Sequence, residues 1–108
     1  KRPNLRGVEA FTVEPEVIIN NALSDRLTVI EVAGRDRPGL LYDLTSSLSD
    51  LSLDIGSAHI TTFGEKAVDV FYVTDLTGKQ IESETRQAVI RERLMKVLAN
   101  QEAGKSAV

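Results

Sequence analysis

The side chains best placed to do chemistry in this 108-residue chain are gathered in one run, Arg35-Asp36-Arg37-Pro38-Gly39-Leu40-Leu41. It joins an apolar stretch, Leu27 to Val32, to a leucine-spaced one. Asp36 is positioned to cap a helix, Pro38 has a φ suited to a helix start, and Gly39 has no side chain to block a close neighbour. A helix that begins there leaves backbone N–H groups pointing outward, and these can hold a carboxylate without any catalytic residue. Arg35 or Arg37 could grip an acidic ligand through paired hydrogen bonds, or could form local ion pairs of little worth with Asp36. From the residues alone, a plain strand-to-helix turn is the simpler reading.

Covalent chemistry lacks its parts. His59 is the sole histidine, and with Ser57 and Thr61 as neighbours it has neither an orienting carboxylate nor metal-ligand partners at a usable spacing. It is expected to be a hydrogen-bonded surface or interface histidine, one that could still touch a ligand. Asp69 alternates with Ala67 and Phe71, and Asp75 ends the same stretch. The two acids make no compact metal site and are expected to be solvated. No glycine-rich phosphate loop or nucleophile elbow is present. The absence of cysteine rules out disulfides and thiolate zinc sites. A formal net charge of −3 argues against surfaces built for nucleic acid or anionic membrane. Phe71 and Tyr72 are adjacent and so point to opposite faces, which excludes a shared stacking platform for RNA. No apolar run is long enough to cross a membrane.

These side chains must be positioned by a single small domain, expected over residues 10–100. A tail or linker is expected at 1–9 and a flexible tail at 101–108. The absence of an initial methionine suggests a piece of something longer. Residues 10–20 are expected to form an edge strand, because Pro15 cannot donate within a sheet interior. Leu27 to Gly34 is a second strand. Leu40, Leu41, Leu44, Leu48 and Leu51 recur at helical spacing, so a helix is predicted from about Pro38 to Leu51. Alternation returns from Leu53 to Phe63 and from Ala67 to Thr74, with Gly64-Glu65 as a hairpin turn. Ser83 can cap a second helix whose buried stripe is Ile90, Leu94 and Val97.

The order β-β-α-β-β-α contains the split βαβ arrangement short of its last strand. The first strand is expected to fill that vacant edge. The fold class is therefore α+β, a ferredoxin-like sandwich in which two helices cover one face of a four-stranded antiparallel sheet. The opposite face is expected to carry Leu27, Val29, Phe71 and Val73, apolar enough for a second copy or a neighbouring domain to cover.

The stretch Val29-Ile30-Glu31-Val32-Ala33-Gly34-Arg35-Asp36-Arg37-Pro38-Gly39-Leu40-Leu41 resembles the opening of an ACT domain, a small-molecule regulatory module of amino-acid metabolism. The likeness continues through Asp50 to Ile55, through Ala58-His59-Ile60-Thr61-Thr62-Phe63-Gly64-Glu65, and through Val68-Asp69-Val70-Phe71-Tyr72-Val73-Thr74-Asp75. It covers Phe11 to Ala99, and is most similar to the C-terminal ACT domains of bacterial bifunctional PII uridylyltransferase/uridylyl-removing enzymes. The resemblance implies a cytoplasmic parent that adds UMP to the PII protein and removes it, using magnesium, with glutamine as the signal. It implies tandem ACT domains and upstream catalytic domains as partners of this module, which would itself be catalytically inert and hold no cofactor. Glutamine or another amino acid is the implied ligand, and a homodimer is possible. By position, the ligand would meet Asp36, Arg37, Pro38, Gly39, Leu40 and Leu41, with Ile55, Gly56, Ser57 and Ala58 as secondary candidates. One departure is that the usual fourth ACT strand is missing after the last helix, so residues 10–20 or a partner must replace it. The competing reading is an assembly module with no ligand of its own.

Overall fold

The computed structural model describes residues 13–106, with side chains up to Ala99. In chain order the elements are β1 (Glu16–Asn20), β2 (Thr28–Arg35), α1 (Leu40–Asp50), β3 (Leu53–Phe63), β4 (Lys66–Asp75) and α2 (Glu84–Ser106). All strand pairings are antiparallel, and the sheet runs β1-β2-β4-β3. β1 lies along the outer edge of β2, with Val17 opposite Val32 and Ile19 opposite Ile30. The first strand thus fills the edge that the split βαβ order leaves vacant. It is shorter than expected and begins directly after Pro15, the residue that cannot donate to a ladder. The proposed tail at 1–9 and residues 10–12 lie outside the described residues. α2 runs on to Ser106, into the stretch expected to be tail, where Gln101, Glu102, Ala103 and Lys105 are good helix formers.

β1 is held by side chains as well as by its ladder. The buried Thr28 hydroxyl donates to Asn21 Oδ1 (2.6 Å) and accepts from the Ile81 amide (2.8 Å), while Asn21 Nδ2 donates to the Ile81 carbonyl (2.8 Å). Gln80 Nε2 donates to the carbonyls of Asn21, Ser24 and Leu27. These bonds tie the β1–β2 connection to the segment between β4 and α2, so every buried polar atom named here has a partner.

The core lies between the sheet and the two helices. Ile30, Val32, Phe71, Val73 and Leu53 from the strands meet Leu40, Leu44 and Leu48 of α1 and Ile90, Leu94, Val97 and Leu98 of α2. Burying these side chains supplies most of the driving force for folding. Leu41, included in the expected stripe, is half-exposed. α2 packs closely on β2, where a Cβ on Gly34 would lie 2.7 Å from Leu98 Cδ2. Ser83 caps α2 as expected, its hydroxyl accepting from the Arg86 amide at 3.2 Å. α1 ends on Ser52 in the left-handed region (φ 64°), and Arg86 Nη2 donates to the exposed carbonyls of Leu51 and Ser52.

The register corrects the expected open face. Ile30 lies opposite Phe71 and Thr28 opposite Val73, so Phe71 and Val73 face the helices. Directly opposed residues of an antiparallel pair share a face. The face without helices carries Val29, as expected, together with Ala33, Val68, Val70 and Tyr72, and there the His59 and Tyr72 rings meet in a T-shaped pair with centroids 5.6 Å apart. An irregularity between Ile55 and Ser57 leaves Gly56 unpaired. The extra residue shifts the alternation, placing Ile55 and Ala58 on one face and Ser57 and His59 on the other. From Asp54 to Phe63 every residue of β3 is exposed.

Candidate functional site

The corner between β2 and α1 is built by three neighbouring pieces of chain. Asp36 does not cap the helix. Its amide donates to the Glu65 carbonyl at 2.8 Å, extending the sheet's hydrogen bonding to the β3–β4 turn, where Arg35 also pairs with Glu65 at 3.1 Å. Pro38 precedes the helix, which begins at Leu40. Its cap is Gly39, with φ 81° and ψ −3° and no side-chain hydrogen bond. Gly39 is required here by its left-handed backbone, a conformation that costs other residues. A Cβ at this position would meet only Arg37 Nη1, at 3.7 Å, so crowding is not the constraint.

This start leaves polar groups over. The Leu40 amide bonds the Arg37 carbonyl and the Asp43 amide bonds that of Gly39. Those of Leu41 and Tyr42 find no acceptor among the described residues. Arg37 folds back along the corner, with Nη2 on Asp43 Oδ2 at 2.8 Å and Nη1 on the Pro38 carbonyl at 3.2 Å. Its Nε–H is buried with no acceptor. The corner therefore presents donors, reinforced by the positive end of the α1 dipole.

One acceptor accompanies them. Asp69 lies on β4 between Val32 of β2 and Ile60 of β3, on the helix side of the sheet. It is 2% exposed, and its Oδ1 has no hydrogen-bond partner. Burial foremost, and then the Asp36 carboxylate, push its carboxyl above the ordinary value of 3.8. Asp69 was expected to be solvated. It is instead a buried acid among apolar neighbours, because its alternation partners Ala67 and Phe71 both belong to the core. A charged residue in phase with two core residues was the available signal. Asp75, also expected to be solvated, is half-buried. Its carboxylate accepts from the Thr77 hydroxyl and from the Lys79 and Thr77 amides, and these bonds hold its carboxyl below the ordinary range.

The structure gathers Asp36, Arg37, Pro38, Gly39, Leu40 and Leu41 at this corner and separates the secondary candidates from them. Ile55 is level with Val73 and Thr28, at the far end of β2 from Arg35, about 23 Å away at 3.3 Å per residue. Ala58 is level with Ile30, Gly56 sits in the bulge, and Ser57 faces the side without helices. The β3 residues level with the corner are Ile60, opposite Asp69, and Thr62, opposite Ala67. Leu41, Tyr42 and Ile60 are exposed near it, apolar side chains that a neighbouring module could cover, while the exposed Phe63 is on the face without helices. Among the described residues, no three His, Cys, Asp or Glu side chains converge on a metal position.

Comparison with known proteins places this geometry. The ACR family N-terminal ACT domain matches residues 23–101. A bifunctional uridylyltransferase/uridylyl-removing enzyme of Rhodopseudomonas palustris is 64% identical over 96 residues, covering 89% of this chain and 10% of that protein. Proteins of the same description from Bradyrhizobium sp. (strain ORS 278) and Nitrobacter hamburgensis are 61% and 59% identical, over 94% and 91% of this chain and 11% and 10% of their own lengths. The chain spans about a tenth of the length of the curated relatives it matches.

Proposed function

This chain belongs to the ACT-domain family, and from that premise we propose that it is the amino-acid-sensing module of a longer, cytoplasmic bifunctional enzyme. That enzyme attaches UMP to the PII protein and removes it. Its catalytic domains and their magnesium lie in other segments, and glutamine is the signal read here. The observation that carries the reading is the set of donors left over where α1 begins: the Leu41 and Tyr42 amides and the buried Arg37 Nε–H. Donors without acceptors at a helix start suit a carboxylate, and every α-amino acid has one. The exposed Leu41, Tyr42 and Ile60 suit closure by a second ACT domain, which would also supply partners for the glutamine amide.

Titration calorimetry with L-glutamine tests this, on the present chain and on a longer one carrying two such domains. Saturable heat is expected in at least the longer chain. A folded sample of each giving no heat removes the proposal.

A second reading, assembly, is favoured by β3. This 11-residue strand borders the sheet, and its residues Asp54–Phe63 are all exposed. An edge of that length invites pairing with a like strand. Sedimentation with and without glutamine separates the two. A dimer indifferent to glutamine, from a chain that takes up none, favours assembly alone.

A further inference from the structure

The corner's donors account for a ligand's carboxylate and leave Asp69 unexplained. An unpartnered buried acid is costly, and folds retain one only where something compensates it. No compensation comes from the described residues. The residues across the sheet from Asp69 are Val32 and Ile60, and those before and after it on the same face are Ala67 and Phe71. The one charge that perturbs it is another carboxylate, Asp36. The basic side chains of the corner are engaged elsewhere, Arg35 on Glu65 and Arg37 on Asp43. An unpartnered buried acid therefore lies within the influence of a second acid beside a helix start, with no described cation paired to it.

We propose that Asp69 is the acid that receives the ammonium group of the bound amino acid, with Asp36 as its neighbour, while the α1 amides and Arg37 Nε–H take the carboxylate. The inference rests on the amino-acid-binding reading above and deepens it. The corner holds unmatched donors next to an unmatched acceptor, and a free α-amino acid brings the opposite pair on adjacent groups. The open approach is from the β3 side, where Ile60 is 47% exposed and Thr62 is uncovered. An oxo acid or an N-acylated amino acid would satisfy the donors and leave Asp69 buried and unpaired. The site would thus select for a free amino group, and side-chain identity would be read elsewhere.

The test is titration of the chain, and of its Asp69→Asn variant, with L-glutamine, with its 2-oxo analogue, and with N-acetyl-L-glutamine. Asparagine keeps the shape and removes the charge. Wild type is expected to bind L-glutamine at least about tenfold more tightly than either analogue, as the loss of one charge-assisted hydrogen bond implies. Asp69→Asn is expected to lose about that factor for L-glutamine and to bind it no better than the 2-oxo analogue. A merely structural acid would leave this discrimination untouched. If wild type binds glutamine but does not distinguish the analogues, or if Asp69→Asn retains the preference, the role of Asp69 is overturned and the sensing reading stands. If wild type binds none of the three, in the present chain and in the longer one carrying two such domains, both fall. Should the variant fail to fold, the analogue comparison on wild type decides alone.

Discussion

Replacing Gly39 tests whether the corner is built on a backbone that only glycine adopts easily. Gly39 has φ 81° and ψ −3°, and an added Cβ would find its nearest neighbour, Arg37 Nη1, at 3.7 Å. That is ordinary contact, so Gly39→Ala carries no steric term and its cost is the left-handed backbone alone, about 1–2 kcal/mol. For a chain of 108 residues, a melting entropy of about 2.1 cal/mol/K per residue converts this to a drop in Tm of about 4–9 °C. Gly39→Asn should lose less than alanine, since asparagine visits this region more readily, and Gly39→Val should lose more. Thermal melts followed by circular dichroism read all three. Gly64→Ala is the control: φ is 60° there and nothing lies within 4 Å of the added carbon, so its melt should fall by a similar amount while glutamine uptake is unchanged. An alanine variant at position 39 that melts with wild type, or an asparagine variant that melts below alanine, would refute the left-handed cap as the organising feature of the corner.

Other perturbations probe the frame around it. Thr28→Val should cost about 1–3 kcal/mol in urea unfolding with an unchanged m-value, because it strands the buried Ile81 amide without an acceptor. Gly34→Ala should cost about 1–3 kcal/mol by driving Leu98 from its place, and Leu98→Ala combined with it should lose less than the sum of the two single losses. The acids predict opposite pH slopes. Asp75 has a folded-state pKa below 3.8, so its contribution is present above that pH and disappears as pH falls through the lowered value. Asp75→Asn should therefore lower stability at neutral pH and converge on wild type in acid. Asp69 has a folded-state pKa above 3.8, so the protein without ligand loses stability as pH rises from 3.8 through the raised value. Asp69→Asn should then be the more stable protein at neutral pH, with the gain vanishing below 3.8. Urea unfolding across pH measures both.

The repeating patterns along the chain were sufficient for much of this architecture. Alternation from Leu53 to Phe63 and from Ala67 to Thr74 marked β3 and β4, the spacing of Ile90, Leu94 and Val97 marked the buried side of α2, and Ser83 marked its start. The resemblance pointed to residues 36–41, which the structure gathers at one corner. These features are local, because a period or a cap depends on residues a few positions apart. What the corner contains was decided by pairing across the sheet. The bulge at Gly56 reverses the faces on either side of it and, with the register, separates Ile55–Ala58 from the α1 start. The match of Ile30 with Phe71 sends Phe71 and Val73 inward, and Asp69, in phase with them, is buried as well. The use of the Asp36 amide by Glu65 moves the helix cap to Gly39. Each of these outcomes depends on which residues of distant segments lie side by side, and a one-residue change in register inverts them all, so periodicity along a single strand cannot specify them.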